Sequence, residues 1–78
     1  MPTAKLPAKH GRAIIAALNR AGFVVIRVSG SHHILRRVGE PARKVTVPVH
    51  GGKALPPGTL RSIIRQAGLT VAEFIDLL

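Results

Sequence analysis

The chain has 78 residues, no cysteine, 46% hydrophobic residues and a formal charge of +9 from twelve Lys and Arg against three Asp and Glu. That length suits one small domain, and without cysteine there is no disulfide, thiolate nucleophile or Cys-based metal site. The apolar runs, such as Ala13–Leu18, are too short to cross a bilayer, and no apolar leader follows the N-terminal bases, so the expected compartment is the cytoplasm.

Residues 1–9 hold Pro2, Pro7, Lys5 and Lys9 and read as a basic extended tail, with residues 10–78 as one domain. From Gly11 to Ala21 the apolar residues Ile14, Ala17, Leu18 and Ala21 recur at i, i+3, i+4 and i+7. That spacing predicts an amphipathic helix, and Gly22 suits the residue after its end. Phe23–Val28 is rich in β-branched residues and reads as a strand. Ser29-Gly30 marks a turn, and Ser31–Arg37 reads as a second strand. Gly39-Glu40-Pro41 breaks the chain before Lys44–His50, which alternates as a third strand. Pro48 lacks an N–H, so this strand lies at an edge or its pairing stops there.

Gly51–Gly58 reads as a loop. Leu60, Ile63, Ile64 and Ala67 then repeat the stripe of the first helix, with Gly58 or Thr59 as the expected cap and Gly68 as the stop. Thr70 and Glu73 have the spacing of a capping box, and Leu69 and Phe74 that of a hydrophobic staple, so a short last helix is expected. The order is α-β-β-β-α with a short C-terminal helix. Short links favour an antiparallel meander, and two single-striped helices belong on one face of it. The expected fold is an α+β two-layer sandwich with the other sheet face open.

Alternation decides what faces that open side. In the third strand Val45, Val47 and Val49 go inward, which sends Lys44, Thr46, Pro48 and His50 outward. In the first strand Val24, Ile26 and Val28 are placed inward and Arg27 outward. The second strand is ambiguous, since Ile34 and Leu35 are equal claimants for the core. We favour His32, Ile34 and Arg36 outward, beside Arg27; a one-residue bulge near Gly30 would reverse the choice.

The charge points to a polyanion, and nucleic acid is the usual partner; a membrane surface or an acidic protein are the other candidates. With two Phe, no Trp and no Tyr, the chain lacks rings for stacking splayed bases, so phosphate and shape contacts are expected. The candidate phosphate contacts are Arg27, Arg36, Lys44, Lys53 and Arg61, the last two near the helix start at Gly58-Thr59. Gly51-Gly52-Lys53 does not match a Walker loop. His32 and His33 are strand neighbours pointing to opposite faces, which disfavours joint zinc binding, and no metal or other cofactor is expected.

Gly30-Ser31-His32-His33 is the sharpest local feature. A histidine side chain ordinarily titrates at about pH 6.5, so it can take and return a proton near neutrality. RNA carries its own nucleophile in the 2′-OH, and needs a base there, an acid at the leaving oxygen and cations around the phosphate. Adjacent histidines are also ordinary strand residues, one in the core and one solvated.

Gly22-Phe23, Gly30-Ser31-His32-His33-Ile34, Val47-Pro48-Val49-His50 and Gly58-Thr59-Leu60-Arg61-Ser62-Ile63, in this α-β-β-β-α order, resemble the HicA-type mRNA interferase toxins, also described as the YcfA family. The likeness covers roughly residues 10–69. It implies a double-stranded-RNA-binding-domain-like fold and metal-independent endoribonuclease cleavage of mRNA that arrests translation. It also implies a cognate HicB-type antitoxin, usually from the adjacent gene, that covers the active site. The family's catalytic histidine, the first after Gly-Ser, is here His32; Gly30 and Ser31 form the turn beside it. His33 fits the pattern without a catalytic role. The stretch Lys5–His10 is longer and more basic than the family's minimal pattern. The rival is a non-catalytic RNA-binding module of the same fold; a third possibility is a subunit whose charge meets an acidic protein.

Overall fold

The computed structural model describes residues 6–78, so most of the basic tail lies outside the described residues. Its elements are α1 (Gly11–Arg20), β1 (Phe23–Ser29), β2 (His32–Arg37), β3 (Glu40–Pro48), α2 (Pro57–Gln66) and α3 (Val71–Leu77). The three strands form one antiparallel sheet in the order β1-β2-β3, as the short links require. Ile14, Ala17 and Leu18 of α1 and Leu60, Ile63 and Ile64 of α2 are buried with Phe23, Leu35, Val45, Val47 and Phe74 in one core. Both helical stripes therefore cover the same sheet face, and the fold is the expected α+β sandwich.

Local chemistry sets the ends of the helices. The backbone carbonyl of His10 and its Nδ1 both accept the Ala13 N–H, capping α1, and Gly22 with φ +91° lets the chain leave it. Helix α2 starts earlier than expected. Pro57 occupies its first turn, Pro56 is the N-cap, and no side chain caps it, so neither Gly58 nor Thr59 does so. Proline fits there because its missing N–H would have no partner within the helix anyway. At α3 the capping box forms as the spacing requires. Thr70 Oγ1 accepts the Glu73 N–H, and the Glu73 carboxylate accepts the Thr70 N–H. Hydrogen bonding to the carboxylate by the Thr70 backbone N–H, and after it by the Thr70 side chain, holds the Glu73 carboxyl below its ordinary pKa.

Strand boundaries differ from the sequence reading at both ends of β3. It begins at Glu40, but Pro41, Ala42 and Arg43 stand out of register between the pairs Arg37–Glu40 and Arg36–Lys44. Glu40 bridges Arg37 at 3.1 Å and Arg43 at 3.4 Å, closing this irregular corner. It ends at Pro48, yet the Val49 N–H still donates to the Ser31 carbonyl at 2.7 Å, so the ladder reaches one residue further.

The inward assignment of β1 is overturned at Val24 and Ile26, while Val28 keeps its core-side parity opposite His33. Val24 pairs with Arg36 on the outward face and Val25 with Leu35 on the core face. The bulge lies at Ile26, not near Gly30, and it restores Arg27 to the outward face opposite Ile34. Val24, Val25, Ile26 and Val28 are 46%, 40%, 42% and 55% exposed, so Phe23 alone anchors this strand in the core. Among the described residues α1 is the one helix that packs on β1, and α1 and α2 both pack on β3. The helical layer leans toward β3 and covers β1 through α1 alone.

Candidate nucleic-acid interface

Leu35 is fully buried and lies opposite the fully buried Val45, which settles the parity of β2. His32, Ile34 and Arg36 face outward, as favoured, and His33 faces the core side opposite Val47. The open face then carries three cross-strand rows: Ser29–His32–Pro48, Arg27–Ile34–Thr46, and Val24–Arg36–Lys44. His32 is exposed. Arg27 stands one row away, about 7 Å along the strand, and Arg36 and Lys44 two rows away, about 13 Å. The sheet thus brings His32, Arg27, Arg36 and Lys44 onto one surface.

The turn before His32 depends on Gly30, whose φ of +58° is a region that side-chain-bearing residues rarely adopt. Ser31 is half-buried, with its carbonyl taken up by Val49. This pairing pins the β1–β2 turn to the end of β3 and places Pro48 beside His32.

Lys53 and Arg61 are not on the open face. Pro48, His50, Lys53, Leu55, Pro56 and Thr59 line a cleft of about 490 Å³ between the end of β3 and the start of α2. Arg61 is exposed on α2, one turn beyond its start. Pro48 is the link, since it touches this cleft and is also the register partner of His32. Free N–H groups of the first turn of α2 point toward the same end of the molecule. His50, left without a role in the sequence reading, is exposed and lines this cleft. Its place was legible only as the outward parity of Pro48 and His50.

The cleft is held by contacts no motif announced. The Leu55 N–H donates to the Lys9 carbonyl at 2.9 Å, and His10 bridges Ala54. Leu6 packs against the core, so the described end of the tail is tied to the domain. Gly11 starts α1 against the backbone of β3. A Cβ there would stand 2.5 Å from the Pro48 carbonyl oxygen and 2.9 Å from Val49 Cγ2. Backbone cannot rotate out of the way as a side chain can. We expect Gly11→Ala to cost about 1–3 kcal/mol by overpacking, against a helix-propensity gain of about 1 kcal/mol at most. Urea denaturation checks it: a raised midpoint in Gly11→Ala would contradict this close approach.

Two polar atoms near this surface are buried without a hydrogen-bond partner: His33 Nδ1 and Arg36 Nε. His33 faces the core side between Val28 and Val47, away from His32. The two histidines therefore do not share a ligand site, and among the described residues no group of three His, Asp or Glu stands close enough to hold a metal.

A family model for the HicA toxin of bacterial toxin–antitoxin systems matches residues 11–69. The chain belongs to the HicA toxins. The match runs from the first residue of α1 to the residue before the cap of α3, so it includes all three sheet strands and α2. A search of curated proteins returns no match. Family membership makes the chain the toxin of a toxin–antitoxin pair, with an antitoxin as its partner. No helix among the described residues is long and apolar enough to cross a membrane.

Proposed function

We propose that this HicA toxin is a metal-independent endoribonuclease that cleaves mRNA and so arrests translation. The observation that supports this reading is an exposed His32 on an open sheet face shared with Arg27, Arg36 and Lys44. His32 takes the proton from a ribose 2′-OH. The 2′-oxygen attacks the adjacent phosphorus, the bond to the 5′-oxygen breaks, and that oxygen takes up the proton that His32 gives back, which leaves the imidazole neutral for the next turnover. Arg27 is the nearest cation on the face and balances charge building on the phosphate. Arg36 and Lys44 hold phosphates further along the strand, and Lys53 and Arg61 hold the backbone at the cleft end. Gly30 and Ser31 position His32 through the turn. The reaction draws on the RNA's own hydroxyl, so it needs no cofactor.

The antitoxin, of HicB type in this family resemblance, is expected to be acidic or to carry an acidic patch. It covers the open face and the Gly51–Gly58 loop, protecting His32 and offsetting the +9 charge. The purified chain incubated with a long RNA in EDTA tests the reading. Cleavage is the expected result; binding without cleavage would make the chain a non-catalytic RNA-binding module.

Salt dependence checks the phosphate contacts. Neutralising about five phosphates gives a log–log slope of about −3.5, at about −0.7 per single-strand contact. Lys53→Ala is expected to reduce that slope by somewhat under one unit and leave sequence preference alone. Affinity independent of salt would contradict the electrostatic account.

A further inference from the structure

We propose that β1 is a docking edge for a strand of the acidic antitoxin, bordering the open face that holds His32. The inference rests on the chain being the toxin of a toxin–antitoxin pair. Three observations carry it. First, β1 is an outer strand of the sheet, and among the described residues its far side pairs with no other strand. A free strand edge presents unpaired N–H and C=O groups and templates a further strand. Second, this edge is apolar on both faces: Val24, Val25, Ile26 and Val28 are each 40–55% exposed. A contiguous run of β-branched side chains in water marks an interaction surface, and RNA supplies no apolar counterpart for aliphatic groups. Third, Arg36, the register partner of Val24, holds a buried Nε with no hydrogen-bond partner, and Lys44 lies beside it. A carboxylate or carbonyl brought in over Val24 fills that need.

Charge selects the occupant. A second copy of this chain would bring another +9, and self-repulsion between two such basic chains opposes their pairing. An acidic strand instead buries the valines, extends the sheet to four strands and neutralises the Arg36–Lys44 row. The bulge at Ile26 twists the edge and sets the register the incoming strand must match. Docking on β1 then anchors the antitoxin beside the open face, and occlusion of His32 becomes intramolecular.

The test uses the full chain and the antitoxin expressed from the adjacent gene. Val24→Glu and Ile26→Glu each place a carboxylate where an acidic strand would lie. Each is expected to weaken antitoxin binding at least about tenfold, with Val24→Thr affected less. Ala72→Glu, exposed on α3, leaves it unchanged. The melting temperature of the free variants stays near wild type; RNA affinity stays near wild type in Ile26→Glu and falls in Val24→Glu, whose carboxylate stands beside Arg36. Hydrogen exchange shows the β1 amides gaining protection in the wild-type complex. Wild-type antitoxin affinity in both Glu variants overturns the proposal. So does a free chain that is dimeric until Val24→Glu dissociates it, or a loss of RNA affinity in place of antitoxin affinity. Antitoxin affinity is read without RNA, so a chain that fails to cut RNA sinks the nuclease reading and leaves this result standing.

Discussion

His32→Ala is expected to lower RNA cleavage by about 10² to 10⁴-fold, the scale for losing a positioned acid–base group. His32 is exposed on the open face, and its side chain accepts no structural duty in the core. The substituted protein should keep its fold and its melting temperature. It should also keep its affinity for RNA, because Arg27, Arg36, Lys44, Lys53 and Arg61 remain. His33→Ala makes the contrast. That ring is half-buried on the core side against Val47, so its loss acts on stability and leaves the chemistry in place. Single-turnover cleavage assays with thermal melts of both variants separate the two roles. Induced in cells, wild type arrests growth and His32→Ala does not. A folded His32→Ala that cuts RNA at the wild-type rate removes the histidine from the mechanism.

The second large effect is on stability. Phe23 is fully buried and is the one residue of β1 in the core. Phe23→Ala loses about 3–5 kcal/mol through lost burial and the cavity left behind. A chain of this length has about 4–12 kcal/mol in total, so a quarter or more of its stability is at stake. We expect Phe23→Ala to be largely unfolded near 37 °C, with β1 and the turn at Gly30 lost first. Circular dichroism during urea titration measures it. A midpoint within error of wild type would show that β1 is held by something other than Phe23.

Helix stripes, the capping box at Thr70 and Glu73, and the alternation of Val45 and Val47 made most of the fold legible in the sequence. Each is a local pattern read by local physics. The inward assignment of β1 failed at Val24 and Ile26 because alternation assumes an unbroken register, and a bulge at Ile26 leaves no mark among β-branched residues. Exposure of Val25 and Val28, which lie on the core side, depends on how far the helical layer reaches, which is a tertiary property. Two signals pointed to the candidate site: the glycine turn before His32, and the outward parity of His32, Arg36 and Lys44, which the sheet register shares. The cleft beside Pro48 was not legible. It exists because Gly11, Lys9 and Leu55 meet far apart in sequence, and only the chain's path brings them together.

The central claim is that His32 turns the RNA's own 2′-OH into the nucleophile. The chemical form of the product ends tests this most directly. RNA is cleaved by the purified toxin in EDTA, and the new 3′ ends are identified by mass spectrometry. The account predicts 2′,3′-cyclic phosphate ends. New 3′-hydroxyl ends would mean that water attacked the phosphorus, and would contradict it.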